Sequence, residues 1–254
     1  MRLAAFLFLS LAVAITSSGR TEQSSCALPK QALSAKVQRV LDGDTIKLEG
    51  GDEVRIIGIN APELQNRYRP EDPGAREASL ELTRLLEQSH NSINVIFETK
   101  KVDRFGRLLA HVQNNKGENI ASKLISQGLV AVAIIPPNSS MADCYLALEQ
   151  IPRIARKANW AKVTQWHITD SELEEFQGGF AIMYSKVKSI QVVSDQTIYF
   201  SLHNGYTLRL KQYDTGYNPE VFLHKKIIAR GWINSKKTMR KQLDILDQRL
   251  IQLQ

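Results

Sequence analysis

Cysteine is nearly absent from this 254-residue chain, which holds only Cys26 and Cys144. Two thiols cannot build a four-ligand zinc site without two nearby histidines. The five histidines, His90, His111, His167, His203 and His224, stand singly, so each is expected at the surface or at a cap, and neither a histidine metal centre nor a nucleophile triad is visible. Long apolar runs are equally scarce. The run from Leu3 to Ile15 falls short of the ~20 apolar residues a bilayer span requires. Lying behind Met1-Arg2 and ahead of Thr16-Ser17-Ser18, it has the layout of a secretory signal peptide over residues 1–18, the alternative being a retained anchor. No stable membrane insertion is expected after signal removal, and the protein is read as exported, periplasmic or secreted.

In an oxidising compartment an isolated pair of cysteines is a candidate disulfide, the alternative being two separate thiols. A Cys26–Cys144 bridge would pin the polar lead-in, residues 19–36, to a helix far along the chain. The chain-entropy model assigns closure of so long a loop about 4 kcal/mol.

What is present is ordinary globular composition, with 43% hydrophobic and 23% charged residues, enough to bury a core in one large or two small domains. The net charge of +7 is unevenly placed. Residues 179–254 hold 12 Lys and Arg against 5 Asp and Glu, so the whole excess lies there and residues 1–178 balance.

From Val37 to Leu48 apolar and polar residues intermingle as in a half-buried strand; Gly50-Gly51 signals a hairpin, and Val54 to Asn60 returns. Gln65 to Gly74 is a polar loop, and Ala78, Leu82, Leu85 and Leu86 then form one helical stripe. Ile93 to Phe97 and Leu108 to Val112 read as strands, Ile120 to Gln127 as a short helix stopped by Gly128, and Leu129 to Ile135 as an apolar strand. An amphipathic helix over about 141–157 closes this part, with a kink expected at Pro152.

Polar residues interrupt these strands in three short runs: Asp42-Gly43-Asp44-Thr45, Arg55 through Asn60-Ala61-Pro62-Glu63, and Asp103-Arg104-Phe105-Gly106-Arg107. Asp44, Asn60 and Glu63 offer hard oxygen ligands or bases, whereas Arg55 and Arg107 carry planar forks suited to a phosphate. Two acids, an amide and two arginines in this order suggest metal-assisted phosphodiester chemistry.

Together the runs resemble the thermonuclease family, whose best-known member is staphylococcal nuclease, over about Val37 to Trp160. The resemblance implies a mainly β fold with helices: an OB-fold-type five-stranded nuclease barrel with about three helices, within a domain over 37–166. It implies a hydrolase, an endonuclease cutting DNA and RNA with low sequence preference. Asp44, Asn60 and the Ala61 backbone carbonyl would hold Ca²⁺, with Mg²⁺ left open. Glu63 would orient or deprotonate the attacking water, and Arg55 and Arg107 would hold the phosphate, with Arg104 as a further nucleic-acid contact. The sequence departs from the family twice. Asn60 replaces an Asp, removing one negative charge from the metal site, and Ile134-Ile135-Pro136-Pro137 stands where relatives carry tyrosines. A catalytically weak or inactive nucleic-acid-binding protein on the same fold is the alternative.

After a linker over 167–178, residues 179–254 are expected as a small basic β domain. Strands over 182–193, 197–203, 206–211 and 226–233, with a turn at Asn204-Gly205, suggest a second small barrel. Ala229 to Ile233 is similar to the closing strand of OB-like domains. Lys236, Lys237 and Arg240 with Tyr184, Tyr199, Tyr206 and Trp232 form a possible nucleic-acid face, the alternative being a solvated charged surface over a core of aromatics. On the binding reading, a chain ended near Gln177 is expected still to cleave.

Overall fold

The computed structural model describes residues 26–29, 31–65, 67, 70–161, 167–168, 179–233 and 241–254. The signal-peptide reading, residues 169–178 of the expected linker, and Lys236, Lys237 and Arg240 lie outside them. The chain opens on a hairpin. Strands β1 (Leu33–Asp42) and β2 (Thr45–Leu48) pair antiparallel with Asp42 opposite Thr45, so the run expected as one strand from Val37 to Leu48 doubles back at Gly43-Asp44. A Cβ on Gly43 would stand 2.7 Å from that of Ala61 and 2.8 Å from that of Ala78. Glycine alone lets the turn press beneath these residues.

The returning segment is also broken. β3 (Glu53–Ile56) and β4 (Gly58–Asn60) part at Ile57, and Gly58 takes a φ of 85° with a Cβ position 2.5 Å from the Tyr145 ring. There follow α1 (Ala75–Glu87), β5 (Ser92–Val102), β6 (Leu108–Asn114), α2 (Ile120–Ser126), β7 (Ala131–Ala133) and α3 (Ala142–Ile154). Strands β1, β2, β3, β6 and β5 close a barrel in that order, with β3 and β6 parallel. Ile46, Val54, Ile56, Val95 and Val112 belong to its buried core, and the predicted α1 stripe of Ala78, Leu82, Leu85 and Leu86 packs with them. Strand β7 is shorter than the apolar run that contains it. It stays outside the barrel and, among the described residues, pairs only with β4, placing Val132 opposite Ile59 and Ala131 opposite Asn60.

Helix α3 runs on past Pro152 and ties several segments together. Its Cys144 forms the disulfide with Cys26, the Cα atoms 5.8 Å apart. Its buried Tyr145 places its hydroxyl 3.0 Å from Asn119 Nδ2, which donates to it, and 3.2 Å from His111 Nδ1. His111 is therefore a core residue, not a surface one: 2% exposed, with Nε2 2.6 Å from Glu98 Oε1. Burial pushes the Glu98 carboxyl up, but hydrogen bonds from His111 and Ser140 outweigh it and hold the carboxyl below its ordinary value.

The second part of the chain contains β8 (His167–Ile168), β9 (Gly179–Ser194), β10 (Thr197–Leu202), β11 (Thr207–Lys211), β12 (Lys226–Ile233), β13 (Gln242–Ile245) and β14 (Ile251–Leu253). The start of the expected linker is thus a short strand, β8, parallel to β9. Pairings run β9–β10–β11–β13–β12 and return from β12 to β9, with β11–β13 the parallel contact. Counted within each ring, the order is first, second, third, fifth, fourth, the same as in the nuclease barrel.

The two rings share a core. Ala131, Ala133 and Trp160 cluster with Phe180, Ile182 and Ile228, and Tyr184 and Trp232 pack against them. Within this seam Arg230, 0% exposed, donates to Glu149 Oε2 on α3. Three of the four aromatic residues offered as a stacking face are therefore packing residues, Tyr206 being buried and Tyr184 and Trp232 belonging to the seam, whereas Tyr199 is half-buried on the face of β10 opposite the buried Ile198 and Phe200. A chain ended at Gln177 would uncover this apolar surface and strip Glu149 of Arg230, and removing one partner of a buried ion pair alone costs about 3–5 kcal/mol. Such a chain is expected to lose cooperative thermal unfolding and to aggregate, in contrast to the expectation from sequence that it still cleaves. Circular dichroism melts and size-exclusion elution of the two lengths side by side check this.

Candidate active site

The β1–β2 turn delivers Asp44 to a point where three chain segments meet. Asp44 is 5% exposed. Its Oδ2 accepts from the Ala61 amide at 2.7 Å and from Arg55 Nη2 at 2.9 Å, while Oδ1 accepts from Thr45 Oγ1 at 3.0 Å. Arg55 stands opposite Thr45 in the β2–β3 ladder, so the pleat directs both toward the same face. The same Nη2 lies 3.3 Å from Asn60 Oδ1, and Nη1 donates to the Ile56 carbonyl at 2.8 Å. Asn60 Nδ2 in turn donates to the Ala61 carbonyl at 3.2 Å. Asp44, Arg55, Asn60 and Ala61, picked out by residue type, thus form one hydrogen-bonded cluster.

Two further acids, not picked out from the sequence, bear on this cluster through charge and through Glu63. Asp42, on the other side of the turn, accepts from the Gly43 amide at 2.7 Å. Burial and the charges of Asp44 and Glu63 outweigh that bond and the Arg55 charge, so its carboxyl is pushed up to about 7. The signal was the second acid of Asp-Gly-Asp, which a tight turn brings beside the first. Asp72, buried in what reads as a polar loop, accepts from the Glu63 amide at 2.8 Å and donates its own amide to the Glu63 carbonyl at 2.9 Å. Its carbonyl also accepts from the Ala75 amide at 3.1 Å. The backbone of Glu63 is thereby fixed to the start of α1.

Arg107 approaches from the β5–β6 turn. In the parallel ladder Leu109 faces Arg55, so Arg107, two residues before Leu109, falls on the Arg55 side of the sheet. Its Nε donates to Asp103 Oδ2 at 2.8 Å, and Asp103 Oδ1 accepts the amides of Phe105 and Arg107. Phe105 is 69% exposed, with the guanidinium carbons of Arg104 and Arg107 4.7 and 5.6 Å from its ring centre. Among the described residues, direct bonds link neither arginine to the Asp44 cluster. Ile134 is buried and Ile135 is exposed, so that stretch offers no aromatic ring.

Among the described residues, no three His, Cys, Asp or Glu side chains group as ready metal ligands. A cation here has to use the Asn60 amide oxygen and the Ala61 carbonyl besides Asp44 and Asp42. These are hard oxygen donors of the kind calcium takes, and the raised Asp42 carboxyl marks a crowding of negative charge that a cation relieves. The residues fit calcium. An acid whose folded value lies above its ordinary one of 3.8 costs stability as pH rises from there through about 7. Asp42→Asn is therefore expected to raise the Tm of the metal-free protein at pH 8 more than at pH 4. Melts at both pH values measure it.

The model of the staphylococcal nuclease homologue family matches residues 53–162, just under half of the chain. Arg55, Asn60, Ala61, Glu63, Arg104 and Arg107 lie inside the match, whereas Asp42 and Asp44 stand on the hairpin before it. No curated protein matches the chain. The closed five-stranded barrel fits the OB-like nuclease fold, and the matched residues together with the preceding hairpin therefore form a domain similar to staphylococcal nuclease.

Proposed function

We propose that the protein is an exported, calcium-dependent endonuclease that hydrolyses phosphodiester bonds of DNA and RNA with little sequence preference. The single observation that carries this reading is the Asp44 carboxylate bound at once by the Ala61 amide and by Arg55, which joins hard oxygens and a guanidinium at one spot. Asp44, Asp42, Asn60 and the Ala61 carbonyl would hold calcium, which supplies positive charge beside the phosphate oxygens. Arg55 leaves part of its donor fork to the phosphate, and Arg107 binds the oxygen on which charge grows as the bond breaks. Glu63 accepts the proton of the attacking water, its backbone held in place by Asp72. Magnesium is the second candidate, and its demand for near-octahedral geometry makes it the poorer match to a mixed amide, carbonyl and carboxylate set. Export is supported by the Cys26–Cys144 disulfide and by the signal-like opening of the sequence.

Asn60 favours the alternative, a nucleic-acid-binding protein with weak turnover, because it removes a charge from the metal site. The two readings separate in one assay. Glu63→Ala and Arg107→Ala are each expected to lower kcat by about 100-fold or more at unchanged Tm, since both act on the transition state. Plasmid and RNA digestion with calcium, magnesium or chelator measures the effect; no turnover by the unaltered protein with either metal selects the binding reading.

The C-terminal basic excess adds a surface to this function. Lys186 stands opposite Lys226 in the β9–β12 ladder, Lys225 adjoins Lys226, Lys188 lies two residues beyond Lys186, and all four are exposed. Among the described residues none of them is ion-paired. Such a surface suits the phosphates of long nucleic acid, bound through counterion release, while Tyr184 and Trp232 are taken up by the seam. Lys186→Glu with Lys226→Glu is expected to weaken binding of long DNA and to flatten its dependence on salt, while kcat on a short oligonucleotide stays at the wild-type value. Filter binding across a salt series reads both.

A further inference from the structure

We propose that Arg230, in the second barrel, is a positioning residue for the nuclease site. Acting through Glu149, it holds the edge of β7, whose partner strand β4 carries Asn60. The inference rests on the functional reading above, because it concerns the donors assigned there.

The two contacts of α3 with this small sheet lie one helical turn apart. Tyr145 and Glu149 are four residues apart and share a face. The Tyr145 ring closes on Gly58 at the start of β4. Glu149 Oε1 accepts from the Val132 amide at 2.6 Å, in the middle of β7. Val132 faces Ile59 across the ladder, so its amide, spent on Glu149, is the bond the open edge of a two-stranded sheet would otherwise leave unmade. On the other face of β7, Ala131 and Ala133 pack against Phe180, Ile182 and Ile228 of the second barrel. Asn60 ends β4 and Ala61 follows it, two of the oxygen donors.

Charge makes Arg230 necessary to this arrangement. Glu149 is 1% exposed and Arg230 0%. A carboxylate so placed keeps its charge only with a cation against it; alone, it takes up a proton or swings away. Either response weakens the bond to Val132 and frees β7 to shift against β4. Sites of this kind are sensitive to such shifts, and loss of a residue supporting a metal ligand typically costs 10–100-fold in affinity or activity.

The test uses the full chain with its disulfide intact. Arg230→Met is compared with two charge-free double variants, Arg230→Met with Glu149→Gln, which keeps an acceptor for Val132, and Arg230→Met with Glu149→Leu, which does not. Apolar replacement of a whole buried pair is commonly tolerated, so the double variants keep the question open should Arg230→Met fail to fold. Three readouts are taken well below each Tm: kcat and KM on plasmid, the calcium midpoint, and the amide NMR signals of Ile59, Asn60 and Ala61. Arg230→Met and the Leu variant are expected to lose about tenfold in kcat at unchanged KM, to need more calcium, and to displace the three amide signals. The Gln variant is expected to stay near wild type in all three. Equal behaviour of the Gln and Leu variants, or a folded Arg230→Met with wild-type kcat, calcium midpoint and amide signals, would overturn the proposal. If the unaltered protein turns over nothing with any metal, the nuclease reading fails instead, and the amide signals alone still decide whether Arg230 positions β4.

Discussion

The ion pair between Glu149 and Arg230 is the constraint on which the arrangement of the two barrels depends. Neither group can stand alone where it lies, since desolvation of an unpaired charge costs several kcal/mol, so α3 of the nuclease domain and β12 of the second barrel must meet in one geometry. The apolar seam around the pair, from Ala131 and Trp160 to Ile182 and Ile228, contributes area without direction; the pair adds the direction. Two barrels with the same strand order thereby meet through a shared seam. Among the described residues, two buried donors of Arg230, Nε and Nη2, have no acceptor, which leaves Glu149 as the partner that fixes the guanidinium there.

Close backbone approach shapes the site as much as charge does. Gly43 passes under Ala61 and Ala78, and Gly58 passes against Tyr145; at each place the missing side chain lets one segment rest on another. The first approach seats the Asp42–Asp44 turn against Ala61, whose amide then binds Asp44. The second breaks the returning strand, so that Arg55 stays on the barrel while Asn60 leaves it for the β4–β7 pair. A cluster drawing on barrel and non-barrel strands can hold a phosphate from two sides, which one flat sheet face cannot.

These particulars also explain what the sequence could reveal. Asp44, Arg55, Asn60 and Ala61 were legible because a short motif fixes residue types near one another along the chain, and the α1 stripe was legible because helical periodicity is local. The hairpin at Gly43 was not, because its cause, the contact with Ala61 and Ala78, is tertiary. The same holds for His111, which looked like a stray polar residue until Glu98 and Tyr145 enclosed it. Arg230 sits in Ala-Arg-Gly-Trp and carries no local sign of burial; its partner is 81 residues away. Asp72 was hidden for a related reason, since its role is to bind a backbone amide and leaves no pattern of residue types.

The placement of charge follows from the chemistry proposed for the site. Asp42, Asp44 and Glu63 repel one another, as the raised Asp42 carboxyl records, and they also repel a polyanion. Lysines set among them would ease both repulsions, but would pair with the acids and occupy the oxygens a cation needs. Arg55 already illustrates that competition, with Nη2 against both Asp44 and Asn60. Basic residues on the outer β9–β12 face, beyond the seam, avoid it: they can draw in the phosphate backbone through a long-range field while staying clear of the acids. Such a division works only if the distance between the two surfaces is fixed, because a freely swinging basic domain would concentrate substrate anywhere along its reach. The buried pair at the seam holds the two surfaces together, which links a fully buried charge, Arg230, to the use of exposed ones.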